Sequence, residues 1–308
     1  MIVLRSEELL ALLDPSHGAE MLELVHLPSG RRLLGRPPFA AAPPAPGDLD
    51  ETTWTASYRG GWQLAAPNAG ALSRVGDVEH GFHGRASNDP WEVLDVGAAA
   101  ATFAWRGHGL ALTRTVELAG ATVRVRVEVE AIEAAPLVVL EHIALGLELL
   151  EPEVEIELPA GLAYELSETH GPPLPPGDAP LWPDVLLLDG SHERADRWQL
   201  DRARSRLLVV ADLPEGRARV RNTTTGMTVE LAWDADWLRH LWLWHEVREY
   251  GGPWRGQAEL LAIEPCSVPH PLGLAAAIEH GQALQLAEGE TAGYELRLSV
   301  SVTYTSTR

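Results

Sequence analysis

The chain has 308 residues and a formal net charge of −20, from 44 acidic and 24 basic residues, and every basic residue is an arginine. A chain this acidic repels phosphate backbones and anionic membrane surfaces, so we expect neither nucleic acid nor membranes as partners. The single cysteine, Cys266, excludes an internal disulfide framework and fits a reducing compartment.

The sequence also argues against targeting to or across a membrane. Residues 1–8 lack the basic-then-apolar order of a signal peptide. The most apolar stretch, residues 137–150, is interrupted by Glu141 and His142 and is too short to span a bilayer. We therefore expect a cytoplasmic protein. The length allows one large β domain or two smaller ones, and because the composition does not shift along the chain, we predict a single domain over residues 1–308.

In chain order, the predicted elements are mostly strands. Residues 6–13 predict a short helix with Ser6 as its cap. Residues 37–50 and 171–184 are rich in proline and predict loops, because proline removes a donor from a strand ladder. Five segments alternate apolar and polar side chains with a period of two and predict half-buried antiparallel strands: residues 122–130, 153–158, 217–221, 227–231 and 294–302.

Further turns and elements complete this pattern. Residues 222–226 join two of the alternating segments and predict a hairpin. Residues 260–264 predict a strand that ends at a carboxylate, because Pro265 follows, and residues 272–279 predict a second short helix. Many antiparallel strands with few helices indicate an all-β protein built as a large antiparallel β-sandwich.

Four places in the chain carry polar side chains of the kinds that catalysis or ligand binding uses. Glu264 follows an apolar run, where a carboxylate is costly unless it is paired, solvated or functional. Asn68 lies in a glycine-rich loop, where it either presents its amide or caps a turn. His80 and His83 are flanked by glycines, which allow close backbone approach to a ligand, and no cysteine or aspartate cluster completes a metal site beside them. His142 interrupts an apolar strand, either as a satisfied core histidine or as a functional group.

Tryptophan is the predominant aromatic residue, with 11 copies against 3 phenylalanines and 5 tyrosines. The simplest interpretation of these side chains is sandwich core. Flat indole faces also suit the apolar C–H faces of sugar rings, so a binding surface remains an alternative. The candidates lie close together in the sequence: Trp233, Trp237, Trp242, Trp244 and Trp254.

The order of these features resembles that of the galactose mutarotase (aldose 1-epimerase) superfamily: a loop asparagine, a His-Gly pair, a strand histidine, a Glu-Pro pair and a Gly-Glu turn. The resemblance extends from about Gly61 to the C-terminus. Its most specific part is Ile263-Glu264-Pro265 together with Glu288-Gly289-Glu290. It implies a mutarotase-like β-sandwich and an isomerase that interconverts the α and β anomers of a monosaccharide without metal or cofactor.

The resemblance also implies roles for individual residues. It makes Glu264 the catalytic base and His142 the general acid. It assigns binding near the sugar ring oxygen to His83 or His80, and His83 is preferred because of the spacing to the tryptophan that follows it. It makes Asn68 a substrate-binding residue.

The chain departs from the family pattern at three places. Ala69 stands where family members usually carry arginine, and Ile143-Ala144-Leu145 replaces an aromatic pair. The sugar-binding aspartate of the family lacks a clean counterpart. The nearest segment offers Trp244, His245 and Glu246 as substitutes.

Anomer exchange opens and recloses a cyclic hemiacetal. A base takes the proton of the anomeric hydroxyl while an acid protonates the ring oxygen. The carboxylate of Glu264 and the imidazolium of His142, on opposite sides of the ring, would meet this requirement.

Two other functions remain open at this point. One is a carbohydrate-binding module without turnover, since a fold does not by itself transfer activity. Its binding surface would consist of Trp244, Trp254, Asn68 and Arg85. The other is a sugar-phosphate mutarotase, which would need arginines that converge on the phosphate. The candidates are Arg74, Arg85 and Arg255.

Overall fold

The computed structural model describes residues 1–167, 171–200 and 203–303. Within these residues the chain forms many strands, which in chain order are β1 Ile2–Arg5, β2 Leu9–Asp14, β3 Glu20–His26, β4 Arg31–Arg32, β5 Trp62–Ala65, β6 Ser73–Val75, β7 Val78–His80, β8 Glu92–Val96, β9 Ala100–Gly107, β10 Leu110–Ala119, β11 Thr122–Ala131, β12 Ala135–Leu137, β13 Leu140–Leu145, β14 Glu153–Glu157, β15 Leu162–Leu166, β16 Asp184–Leu186, β17 His192–Arg194, β18 Arg197–Gln199, β19 Arg204–Ala211, β20 Gly216–Asn222, β21 Met227–Trp233, β22 His240–Val247, β23 Glu259–Cys266, β24 Leu284–Leu286 and β25 Thr291–Val302.

The helices are short: α1 Glu51–Ser57, α2 Leu147–Leu150 and α3 Gly273–Glu279. Helix α3 confirms the helix predicted at residues 272–279. The helix predicted at residues 6–13 is wrong, because this segment turns from β1 into β2. Ser6 accepts the amide of Leu9 as a helix cap would, but Leu9, Ala11 and Leu13 point to one face with strand periodicity. None of the helices in the described part of the chain has the length and apolarity that a membrane crossing requires.

Two large sheets make the predicted β-sandwich. One has twelve strands in the order β1-β2-β3-β5-β13-β23-β22-β19-β15-β16-β17, with β4 paired to β3. The other has nine strands in the order β18-β14-β20-β21-β25-β11-β10-β9-β8. The main hydrophobic core lies between them and contains residues of both, such as Leu24 and Ile263 from the first sheet and Val125 and Leu296 from the second.

The two sheets differ in what covers their outer faces. Strands of the nine-stranded sheet alternate buried and exposed side chains, as β11 does, so the outer face of this sheet meets solvent. Strands at the centre of the twelve-stranded sheet are buried on both faces, as β13 is along its whole length. Loops and short helices pack on this second outer face, where side chains of α1 and α3 join two smaller hydrophobic clusters. A polar side chain there lies in a shielded environment.

The loop and turn predictions are confirmed at their main positions. Residues 37–50 connect to α1 without forming a strand, and residues 222–226 close the hairpin between β20 and β21. The prediction that a strand ends at Glu264 is wrong, because β23 continues to Cys266. Pro265 stays paired with Leu241 of β22. On its other side, β23 pairs with β13, where Ile263 lies opposite Ile143 and Cys266 lies opposite Leu140.

A buried polar network crosses the sandwich core behind β13. Glu141 accepts hydrogen bonds from the Trp62 indole at 2.6 Å, the Tyr294 hydroxyl at 2.8 Å and the Arg114 guanidinium at 3.1 Å. Tyr294 and Arg114 belong to the nine-stranded sheet, so the network joins the two layers. Burial raises the pKa of Glu141, and the facing Arg114 opposes that rise. Glu141 is tolerated at this depth because both of its carboxyl oxygens accept hydrogen bonds.

Candidate active site

Polar side chains meet on the outer face of the twelve-stranded sheet, at its centre. Gln63 of β5 lies opposite His142 of β13, and Glu264 of β23 lies opposite Trp242 of β22. Residues directly opposite each other on neighbouring strands share a face of the sheet. His142 and Glu264 are in contact, with Nε2 3.3 Å from Oε1. The register between β13 and β23, in which Leu140 lies opposite Cys266 and Ile143 opposite Ile263, therefore brings together two groups that lie 122 positions apart in the chain.

These two groups form the floor of an aromatic cleft. The cleft has a volume of about 490 Å³, including space that is open to solvent. Helix α1 forms one wall, and the loop that carries His83 forms another. Trp244 lies close to both Trp254 and His142, with ring centroids 5.8 and 5.9 Å away. The lining residues are Trp54, Thr55, Tyr58, Gly70, Phe82, His83, His142, Leu207, Trp242, Trp244, Trp254 and Glu264.

Helix α1 brings two aromatic rings to the cleft because of its periodicity. The Asp50 side chain accepts the amide of Thr53 at 2.7 Å and caps the first turn. Trp54 and Tyr58 follow at a spacing of four residues and stack with centroids 5.2 Å apart. The Trp54 indole donates to the hydroxyl of Ser87 at 3.0 Å, which fixes the helix to the neighbouring loop.

His83 lines the cleft in a fixed orientation. Its backbone has φ of +57°, which turns the chain sharply between Phe82 and Gly84. Its Nδ1 accepts the backbone N–H of Gly70 at 3.3 Å. Because an amide N–H only donates, the neutral imidazole carries its hydrogen on Nε2. Burial, with a further contribution from His142, holds the pKa of His83 well below its usual range.

The protonation of His142 differs from the sequence-based expectation. Burial lowers the pKa of His142 to about 3, so the imidazole is neutral at neutral pH rather than an imidazolium. Its Nε2 faces Glu264, and its Nδ1 lies 3.3 Å from the hydroxyl of Tyr58. Histidine and carboxylate also lie side by side on the floor of the cleft rather than on opposite sides of a ring-sized space. A neutral N–H in this position is a hydrogen-bond donor.

Asn68, expected to bind substrate, lies outside the cleft lining. It is fully buried, and its amide nitrogen donates to the carbonyls of Ala71 and Gly81 at 2.9 and 2.7 Å. Its oxygen accepts the amide of Leu274 at 2.6 Å. These bonds occupy the side chain with backbone groups, so Asn68 holds the loop and α3 together.

Of the two candidate histidines near the His-Gly pair, only His83 is part of the cleft lining. His80 packs against His108 with ring centroids 4.5 Å apart, and burial lowers the pKa of His80 to about 4. Arg85 also points elsewhere, with Nε 3.0 Å from a carboxylate oxygen of Asp89. In residues 1–167, 171–200 and 203–303, no group of three or more metal-ligating side chains converges.

The segment 244–246 divides between the two faces of β22. Trp244 lines the cleft. His245, the next residue in the strand, points to the opposite face and is fully buried there. Glu246 is buried and accepts the amide of Glu249 at 3.2 Å, outside the cleft lining. Strand alternation alone therefore separates Trp244 from His245.

The arginines considered for a phosphate do not converge on the cleft. Arg74 pairs with Glu79 at 3.1 Å, and the guanidinium of Arg255 lies 6.0 Å from the ring centroid of Phe39. Arg85 bonds to Asp89 as described above. Among the described residues, the cleft lining includes no arginine. The sugar-phosphate alternative therefore gains no support from the site.

Sequence reasoning missed the contribution of α1 to the site. Trp54 and Tyr58 come from a helix that begins directly after the proline-rich loop. The signal was present as a capping aspartate followed by aromatic residues four apart. Phe82, which precedes the candidate His83, was also missed. For Trp242 the sequence left core and binding surface open, and the residue both packs in a hydrophobic cluster and lines the cleft.

Comparisons with known proteins give the fold. The sequence matches no protein-family model and no curated protein. Among solved structures, a galactose mutarotase-like protein from Lactobacillus casei aligns with a TM-score of 0.64 at 16% identity, covering 98% of this chain and 100% of that one. A galactose mutarotase related enzyme from Lactobacillus acidophilus aligns with a TM-score of 0.67 at 12% identity, covering 97% and 96%.

A galactose mutarotase-like protein from Clostridium acetobutylicum gives a similar result, with a TM-score of 0.65, 15% identity and coverage of 98% and 95%. The chain has the galactose mutarotase fold. The resemblance seen in the sequence is thus confirmed for the architecture, along nearly the whole chain. At these identities the likeness establishes the mutarotase fold alone, and the chemistry has to be argued from the cleft.

Proposed function

We propose that the protein is an aldose 1-epimerase-like isomerase that interconverts the α and β anomers of a neutral monosaccharide in the aromatic cleft, in the cytoplasm. One observation carries the proposal: a carboxylate and an imidazole, Glu264 and His142, lie 3.3 Å apart on the floor of an aromatic cleft in a mutarotase fold. The pair offers a base and a hydrogen-bond donor at one place, as ring opening requires.

Binding would depend on the aromatic walls. The apolar C–H face of a pyranose packs against indole rings, and the cleft offers Trp54, Trp244 and Trp254 for this contact. A neutral sugar suits the lining better than an anionic one, because no arginine of the described residues lines the cleft and the chain carries a net charge of −20.

Ring opening and ring closure both pass through the Glu264 carboxyl group. Glu264 takes the proton of the anomeric hydroxyl, the bond from C1 to the ring oxygen breaks, and its electron pair moves to the ring oxygen. The imidazole N–H groups of His142 and His83 donate hydrogen bonds to that oxygen as negative charge develops. Glu264 then returns the proton to it. Rotation about the C1–C2 bond and reversal of these steps close the ring as the other anomer.

The proposal predicts that Glu264→Gln and His142→Ala each lower the mutarotation rate by about 10²–10⁴-fold, because a positioned proton-transfer or donor group is lost. Polarimetry or NMR saturation transfer on a panel of aldoses gives the rate, and a thermal melt tests folding.

A matched control is His240→Ala. His240 is also buried with a pKa lowered to about 3, but its Nδ1 accepts the amide of Asp212, away from the cleft lining. This variant should keep its rate. Rates near wild type in Glu264→Gln would overturn the assignment, and calorimetric binding without anomer exchange in the wild type would identify a binding module instead.

A further inference from the structure

Tyr58 has an unusual environment for a tyrosine hydroxyl. It follows the last residue of α1 and is buried, with its hydroxyl 3.3 Å from Nδ1 of His142. In the described part of the chain, the Tyr58 hydroxyl has Nδ1 of His142 as its hydrogen-bond partner. The other nitrogen of the same imidazole faces Glu264. Tyr58, His142 and Glu264 therefore form a linear chain of polar groups.

The proton positions in this chain follow from elementary rules. Burial raises the pKa of Tyr58 well above its usual range, and the nearby Glu264 and Glu20 carboxylates raise it further, so the hydroxyl keeps its hydrogen. A buried hydroxyl hydrogen needs an acceptor, and the acceptor in reach is Nδ1 of His142. A neutral imidazole that accepts at Nδ1 carries its own hydrogen on Nε2.

The opposite tautomer would create two mismatches. With the hydrogen on Nδ1, the imidazole would donate to the Tyr58 oxygen and the hydroxyl hydrogen would lack its acceptor. The lone pair of Nε2 would then face the Oε1 atom of Glu264 at 3.3 Å, where two acceptors repel each other when the carboxylate is ionised.

We propose that Tyr58 is a positioning residue: its hydroxyl fixes His142 in the Nε2–H tautomer, so that this N–H is directed toward Glu264 and the bound substrate. The effect on catalysis depends on the proposed function, whereas the tautomer itself does not. His83 reaches the same tautomer through the backbone amide of Gly70. Both imidazoles of the cleft thus present Nε2–H groups.

The ring of Tyr58 is held independently of its hydroxyl. It stacks on Trp54 at 5.2 Å and contacts Trp244 and Trp254 at centroid distances of 6.0 and 6.1 Å. Substitution by phenylalanine therefore removes the hydrogen bond and leaves the aromatic packing. Tyr58→Phe is the variant that isolates the hydroxyl.

The test is ¹⁵N NMR of the histidine side chains, in which Nδ1 and Nε2 shifts report the tautomer. The His142 signals are identified by their loss in His142→Ala. We expect wild-type His142 to be neutral with its hydrogen on Nε2, and Tyr58→Phe to raise the fraction of the Nδ1–H tautomer, because only the Glu264 carboxylate then favours Nε2–H. We also expect kcat for mutarotation to fall about tenfold with KM nearly unchanged, the effect of losing one hydrogen bond.

Tyr164→Phe is the matched control. Tyr164 is buried on the same sheet, and its hydroxyl donates to the carbonyl of Pro269 at 2.8 Å, outside the cleft lining. This variant should lose comparable stability and keep both the tautomer and the rate. An unchanged His142 tautomer in Tyr58→Phe would overturn the proposal. If the wild type lacks mutarotase activity, the proposed function fails while the NMR result still decides the role of Tyr58.

Discussion

His83 and His142 show how neighbours decide the chemistry of a side chain. Both are buried, and for both burial is the main cause of a lowered pKa. Each has one ring nitrogen next to a donor, the Gly70 amide for His83 and the Tyr58 hydroxyl for His142. An imidazole in such a setting acts as a neutral donor rather than as a charged acid.

His245 provides a contrast at the same scale. It is fully buried, and within the described residues neither ring nitrogen has a hydrogen-bond partner. A buried polar group without partners costs about 1–3 kcal/mol. We predict that His245→Leu raises the free energy of unfolding by about 1 kcal/mol and changes the mutarotation rate less than twofold. Urea denaturation and polarimetry check both; a large loss of rate with intact folding would restore His245 to the site.

At the scale of elements, α3 depends on side chains from a distant loop. Leu272, at the N-cap position before the helix, provides no side-chain cap. Instead, Asn68 accepts the amide of Leu274 at 2.6 Å and Ser73 accepts the amide of Ala275 at 2.7 Å. The loop before β6 thus satisfies amides that a helix terminus leaves unpaired.

We predict that Asn68→Ala lowers the free energy of unfolding by about 2–3 kcal/mol, because three buried backbone groups lose their partner. Ser73→Ala removes a single capping bond and should cost about 1 kcal/mol. Chemical denaturation of both variants measures the difference. Unchanged stability in Asn68→Ala, combined with lost sugar binding by calorimetry, would support a direct contact of Asn68 with substrate instead.

The strands recognised from their period-two alternation share one property. All five alternating segments belong to the nine-stranded sheet, as β11, β14, β20, β21 and β25. One face of that sheet meets solvent, which imposes a period of two. Strands buried on both faces, such as β13, do not alternate buried and exposed side chains and carry no such signal. The candidate site lies on the sheet that the pattern does not reveal.

For the whole molecule, buried histidines dominate the expected response to acid. Burial lowers the pKa to about 4 in His17 and His80 and to about 3 in His142 and His240. In the unfolded chain these groups titrate near 6.5, so the stability they contribute is complete above that pH and is lost as the pH falls toward 4 for His17 and His80 and toward 3 for the other two. Glu20 acts in the opposite direction. Burial raises its pKa to about 7, so the stability that it contributes is lost as the pH rises from 4.5 to 7.

His83 and His245 also have lowered pKa values, and Glu141 joins Glu20 with a raised one. The histidines outnumber these two carboxyls, so we predict that the protein loses stability on acidification. Between pH 7 and pH 5, His240 alone should account for about 2 kcal/mol. Urea denaturation at pH 7, 6 and 5 should therefore give a steeper pH slope for the wild type than for His240→Gln. His192→Gln, at an exposed position on β17, should keep the wild-type slope. A stability that rises on acidification would contradict the prediction.

The sequence by itself determined the all-β class, the hairpin at residues 222–226, helix α3 and the pairing of Glu264 with His142 as candidates. These follow from local periodicity, turn residues and motif order, which are properties of neighbouring positions. Only the tertiary structure decided which face each polar group occupies. Register across β5, β13, β23 and β22 brings His142 to Glu264, and α1 folds over them with Tyr58, while Asn68 is directed into backbone bonds. Such contacts join residues far apart in the chain, and no local pattern encodes the pairing of distant strands.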